Sequence, residues 1–135
     1  MTDTKHLHLR PARTDDSAAL IAILHSTFQS TWRPAITLAA AEAYAREDRP
    51  ADYVARCGLE FHVAERAGEV IGLVHWRDDF IHGLHVHSGH ARSGAGTALM
   101  DLAEAEIARA GFPAARLETD TFNLGSQAFY APRGY

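Results

Sequence analysis

The residues best equipped for chemistry lie between Leu84 and Tyr135. A strand-like run, Leu84-His85-Val86-His87, leads into a glycine-rich turn, Ala91-Arg92-Ser93-Gly94-Ala95-Gly96, and an amphipathic helix is expected from Thr97 to Ala110. A glycine-rich turn that opens a helix suits phosphate, because several backbone N–H groups point one way with the positive end of the helix dipole behind them. Glycine leaves open the space that a Cβ would fill beside a pyrophosphate. The turn is not a Walker A loop, since no Gly-Lys-Ser/Thr follows, and it lacks the third glycine and the acidic residue of a dinucleotide fingerprint. Taken alone it also reads as a tight packing turn. About a dozen residues past the helix comes Asn123-Leu124-Gly125-Ser126-Gln127-Ala128-Phe129-Tyr130, then Gly134-Tyr135. A tyrosine placed there can donate a proton in a cleft.

Nine histidines are many for 135 residues, and His82, His85, His87 and His90 cluster. On an extended strand, period-two alternation puts His85 and His87 on one face and His82 on the other, with Leu84 and Val86. Zinc wants three or four convergent ligands, with carboxylates or cysteines among them. The cluster offers no such set, so no metal is expected, and His87 and His90 read as facing solvent. Histidine titrates near neutral pH, which suits His82 to proton removal, directly or through water. Asp78, Asp79 and Glu118 compete for that role. Cys57, the one cysteine, reads as a small packing residue, because a nucleophile would need a base and an electropositive setting.

The elements that must position these groups alternate. His6 to Ala12 reads as a strand ending at Pro11. Thr14-Asp15-Asp16 starts a helix with side-chain oxygens and negative charge. It runs to about Gln29 with Leu20, Ile21, Leu24 and Phe28 on one stripe. Trp32-Arg33-Pro34 breaks it. An Ala-rich helix over Leu38 to Glu47 ends before Arg49-Pro50, and a short helical stretch covers Ala51 to Arg56. Phe61 to Glu65 and Glu69 to Trp76 form a hairpin around Arg66-Ala67-Gly68. Strands over Phe80 to His87 and Ala115 to Thr119 and a last helix over Phe122 to Ala131 complete an α/β or α+β layer fold in one domain, residues 1–135.

With the Asn-to-Tyr segment added, the pattern resembles the GNAT superfamily of acyl-CoA-dependent N-acyltransferases. That family reads Leu-x-Val-x-Pro, Gln/Arg-x-x-Gly-x-Gly/Ala, a helix, a strand, and Asn-x-x-Ala-x-x-Leu/Phe-Tyr-x-x-x-Gly-Phe. Here Leu84 and Val86, Gly94 and Gly96, and Asn123, Phe129, Tyr130 and Gly134 match, with Tyr135 in the Phe position. Ser88 replaces the usual Pro. Ala91 replaces Gln or Arg, with Arg92 next door to serve the phosphates. The resemblance implies a mixed, splayed central sheet flanked by helices, with acetyl-CoA as co-substrate in the splay. It implies that Leu84, Val86, Ala91, Arg92, Ser93, Gly94, Ala95, Gly96, Thr97, Asn123 and Tyr130 bind the cofactor. It implies Tyr130 as the acid for the leaving thiolate. Some arylalkylamine acetyltransferases are similar at His82 and use histidine there to take the acceptor's proton. Phe28, Trp32 and Tyr44 fall in the region that forms the family's acceptor pocket, with core packing as the competing role. The acceptor implied is an amine of a small molecule or peptide.

A net charge of −4 and pI near 6.1, with no basic cluster, speak against a nucleic-acid partner. No apolar run of about 18 residues is present, no signal-peptide core opens the chain, and one cysteine fits a reducing cytoplasm. Two other classes stay open: a catalytically degenerate acyl-CoA-binding sensor or interaction module, and a small metal- or pH-sensing protein built on the histidines. Family members continue past the Gly-Phe pair with two more strands, whereas this sequence stops at Tyr135. A truncated record, a homodimer covering the open strand edge and a shortened domain are the explanations that follow.

Overall fold

The computed structural model describes residues 7–29, 36–90, 93–118 and 124–135, with backbone alone at 44–47 and 124–126. Period-two apolar segments with tight turns build an antiparallel meander of β2 (His62–Arg66), β3 (Glu69–Arg77) and β4 (Phe80–Val86). The β2–β3 turn uses Ala67 (φ 53°) and Gly68 (φ 81°), the positive-φ pair that a twisted two-residue hairpin requires. β1 (His8–Pro11) pairs antiparallel with β2, and β5 (Arg116–Leu117) pairs parallel with β4. The result is a mixed five-stranded sheet in the order β1-β2-β3-β4-β5. Ile71 to His75 is buried without a break, because helices cover this central strand on both faces.

Each face has its own core. On one, α4 (Ala95–Arg109) lays Ala95, Leu99, Met100, Ala103 and Ile107 on Ala64, Ile71, Val74 and Ile81. Phe129 and Tyr130 of α5 (Leu124–Tyr130) pack against the same core. On the other face, α1 (Ser17–Thr27) and α3 (Arg49–Cys57) bury Leu20, Ile23, Leu24 and Val54 against Phe61, Val63 and Leu73. α2 (Leu38–Glu47) contributes Ala41 to a small cluster with Phe28 and Ile36. Gly72 sets the closeness of α4 to the sheet. A Cβ there would lie 3.1 Å from Leu99 Cδ1 and 3.2 Å from the His85 carbonyl oxygen.

The corner between β1 and α1 is tied by charge. The Arg10 guanidinium grips both Asp16 oxygens at 2.8 and 3.0 Å and reaches Glu65 at 2.9 Å. Asp16 also accepts the Arg13 backbone N–H at 2.7 Å. These bonds, Arg10 first, hold the Asp16 carboxyl below its ordinary range.

The elements follow the order expected from sequence, with local differences. α4 opens at Ala95, two residues before the expected Thr97, because Gly94 takes the left-handed N-cap conformation (φ 89°). α3 opens at Arg49 rather than Ala51: Pro50, taken as a breaker, sits in a first turn that needs no proline N–H. A left-handed Asp48 (φ 46°) separates α3 from α2. β5 is only two residues long.

Candidate active site

β4 is the strand on which the site is built. β5 pairs with it at Phe80–Arg116 and Ile81–Leu117, and among the described residues the rest of β4 has no partner strand on that side. The Ile71 carbonyl accepts the His87 N–H at 2.9 Å. Antiparallel alternation then turns the backbone groups of Leu84 and Val86 away from β3, toward the opening. Their side chains pack against the α4 core.

The turn before α4 lies beside this opening. Gly94 shapes it, no acidic residue stands in the first helical turn, and no side chain among the described residues caps it. The first N–H groups of α4 are therefore available to an anion, with the helix dipole behind them. Ser93 Oγ is buried and has no hydrogen-bond partner among the described residues. Arg66, which sequence reasoning missed, donates from Nη2 to the Ser93 carbonyl at 3.0 Å and ties the turn to the β2 end. An ideal Cβ at Gly96 would point between Val86 Cγ2 (3.8 Å) and Phe129 Cζ (3.9 Å), so Gly96 borders the slot between β4 and α5. The free amides, the unpaired hydroxyl and the missing side chains fit a diphosphate. Ala95 and Thr97 belong to the same first turn, Ala95 buried and Thr97 exposed.

Tyr130 sits at the end of α5, half-buried, edge-on to Phe129 and to Tyr135. The segment after it is pinned to α4: Arg133 pairs with Asp101 and Glu104, and Tyr135 donates to Glu104 at 2.8 Å. Burial pushes the Tyr130 phenol up to about 12, so it keeps its proton at neutral pH.

His82 differs from its expected orientation. The register between β3 and β4 shifts at His75/Trp76, where His75 pairs with Gly83 and Trp76 with Ile81. His82 is the extra residue of this bulge. It does not share the Leu84 and Val86 face. Its exposed ring stacks instead on His75, centroids 5.2 Å apart, on the α1/α3 side. His85 turns to that side too, with Nδ1 3.2 Å from the Thr27 hydroxyl, and burial pushes it down to about 4. The competing carboxylates differ among themselves. Arg116 clamps Asp79 at 2.9 Å through two bonds and holds it below its ordinary range, and Asp78 and Glu118 are exposed.

Beneath His82 lies a group that sequence spacing did not reveal. The buried His75 has Nδ1 2.6 Å from Tyr53 Oη and Nε2 3.2 Å from Glu60 Oε1. Cys57, Glu60 and His75 bring possible ligand atoms within 4.8 Å of one another. The Arg77 guanidinium pairs with the same Glu60 carboxylate, at 2.8 and 2.9 Å.

Phe28 is buried with Ala41 and Ile36, which gives it a packing role in holding α2. Trp32, Ala91, Arg92 and Asn123 lie outside the described residues, as does the Tyr44 side chain.

A family model described as the acetyltransferase (GNAT) family matches residues 21–135. The chain belongs to the GNAT acetyltransferase family. The matched span runs from α1 through the β4 opening to Tyr135 and so includes every element of the site. Solved structures share the fold. A PaiA N-acetyltransferase from Thermoplasma acidophilum, crystallised with coenzyme A, superposes with TM-score 0.78 at 18% identity, covering 96% of this chain and 89% of that one. A GCN5-related N-acetyltransferase from Rhodopseudomonas palustris gives 0.79 at 23% identity, covering 100% and 83%. A GNAT acetyltransferase from Brucella melitensis, in complex with acetyl-CoA, gives 0.66 at 19%, covering 96% and 82%. No curated protein matches the chain significantly. Among the described residues, no helix is long and apolar enough to cross a membrane.

Proposed function

We propose that this single domain transfers an acetyl group from acetyl-CoA to a primary amine of a small molecule or peptide, by direct attack in a ternary complex. The observation that carries this reading is the open β4 edge, with a phosphate-type turn at the head of α4, His82 on one sheet face and Tyr130 on the other. The amine nitrogen attacks the thioester carbonyl carbon, a C–N bond forms, and the oxygen gains negative charge. Backbone N–H groups of Leu84 or Val86 face that charge as it grows. His82 takes the proton lost by the nitrogen, directly or through water. The C–S bond breaks, and the thiolate takes the Tyr130 proton. Solvent then returns both side chains to their starting states. Base and acid on opposite faces let acceptor and CoA approach from opposite sides.

Among the matching turn residues, Ser93, Gly94, Ala95, Gly96 and Thr97 supply the diphosphate cradle, with Ala91 and Arg92 beside them. By the family resemblance we assign Asn123 to the pantetheine arm and Trp32 to the acceptor pocket, which the buried Phe28 would support from the core. The negative net charge favours a cationic amine over a nucleic acid. A cytoplasmic setting and a homodimer remain part of this reading. The deciding experiment follows free thiol released from acetyl-CoA against a panel of small amines and amine-terminal peptides. Amine-dependent release supports the reading. Binding of acetyl-CoA without release by any acceptor would make the chain an acyl-CoA-binding module.

A further inference from the structure

His75 is polar and titratable, yet only 2% exposed, at a position where β3 otherwise buries apolar side chains. Both its ring nitrogens are engaged. With Tyr53 donating its O–H to Nδ1 at 2.6 Å, Nε2 carries the hydrogen and donates to Glu60 at 3.2 Å. This assignment satisfies every atom with a neutral imidazole. Bonds at both ends stop the ring from turning, and tilted contacts with Tyr53 and Phe61 (5.6 and 5.0 Å) fix its plane. Arg77 holds Glu60 in place and offsets its charge. Burial keeps His75 below the usual histidine range, with Glu60 pulling the other way. The charged or titratable groups around it are Tyr53, Cys57, Glu60, Arg77 and His82.

Outside this ring lies His82, stacked on it at 5.2 Å with 29° between planes and flanked by Phe80 at 4.9 Å. Stacked rings share no hydrogen bond, so His75 does not carry the proton onward. It acts on where His82 sits and on what His82 sees. An exposed histidine on a bulge is otherwise free to sample several rotamers. A neutral ring face also attracts an imidazolium, whereas a charged neighbour would repel it.

We infer that His75 is a positioning residue for His82: a flat, neutral ring, pinned by Tyr53 and Glu60, that holds the His82 imidazole in the orientation that takes the acceptor's proton. This rests on the acyltransferase reading with His82 as base. The test compares His75→Phe with His75→Leu, both in a Tyr53→Phe background so that no phenol is orphaned. Phenylalanine keeps the flat neutral surface and leucine does not. The readouts are the pH profile of kcat/KM with an active amine, acetyl-CoA affinity by calorimetry, and melting temperature. The phenylalanine variant should keep the parent's acidic limb and most of its rate. The leucine variant should lose roughly tenfold in kcat, within the range of acid–base contributions, and show a displaced limb at unchanged acetyl-CoA affinity. Equal behaviour of the two variants, whether parent-like or impaired, would overturn the inference. If the double variants melt below the assay temperature, proton NMR of the parent decides: the His82 ring protons should be shifted by the ring current of the stacked His75 face, and unshifted signals refute the idea. Failure of the underlying reading looks different: His82→Gln would then keep the acidic limb.

Discussion

Replacing Gly96 with Asp separates folding from cofactor binding, because the two effects have opposite signs. A Cβ at this position meets only Val86 Cγ2 and Phe129 Cζ, at ordinary contact distances, and the position is helical, so no strain is expected. A carboxylate in a first turn that holds no acid of its own interacts favourably with the helix dipole. With the gain over glycine in helix propensity, stability should rise by about 0.5–1 kcal/mol, a few degrees in Tm. The same charge faces the incoming diphosphate. Two like unit charges about 5 Å apart at an effective dielectric near 20 repel by about 3 kcal/mol. CoA affinity should therefore fall about 10²-fold, and less at high salt. Gly96→Ala is the control: similar stabilisation without charge, and affinity near the parent's. Calorimetry with CoA at two salt concentrations, alongside thermal melts, measures both arms. A stabilised Gly96→Asp protein that binds CoA like the parent would refute the placement of the diphosphate at α4.

Other outcomes follow from the same geometry. Tyr130→Phe should lower turnover about 10²-fold with little change in acetyl-CoA affinity, as read by steady-state kinetics and calorimetry; near-normal turnover returns Tyr130 to packing. His82→Gln should remove the acidic limb of kcat/KM against pH, and a limb that persists assigns the base to another group. Asp16→Asn leaves Arg10, almost buried, with Glu65 as its one carboxylate among the described residues and should cost about 2–3 kcal/mol in urea melts at neutral pH. The native Asp16 carboxyl lies below its unfolded value, so its contribution is complete above that value and is lost as pH falls through the folded one. The gap between parent and variant should thus close below about pH 4; a gap that is constant with pH would mean that Arg10 and Asp16 matter only through shape.

Much of the architecture was legible because its signals are local. The alanine-rich span Leu38–Glu47 is helical over the expected range, and the hairpin turns where Ala67-Gly68 demands it. The turn at Gly94 was legible because its left-handed conformation is a backbone property that glycine signals. The orientation of His82 was not. Period-two reasoning holds only while both strands advance one residue at a time, and one extra residue in β4 moves the ring to the other face. His75, Tyr53 and Glu60 escaped for a different reason. They come from β3, α3 and the turn between α3 and β2, and only the packed sheet brings them together. Arg66 looked like a turn residue until the hairpin end was seen against Ser93.

The bare backbone at Gly72 makes the molecule a ruler. It lets α4 rest on β3 and β4 with Leu99 so close that a Cβ at 72 would press on it at 3.1 Å. In the proposed reaction the head of that helix holds the diphosphate, and the edge of the neighbouring strand faces the bond that breaks. The span between them then depends on one missing methyl in the middle of the sheet. A thioester carried on an arm of that length would be measured at both ends before reaction. A short thioester lacking the nucleotide can touch only one end, and a close-packed layer of helix on sheet does not stretch to make up the difference.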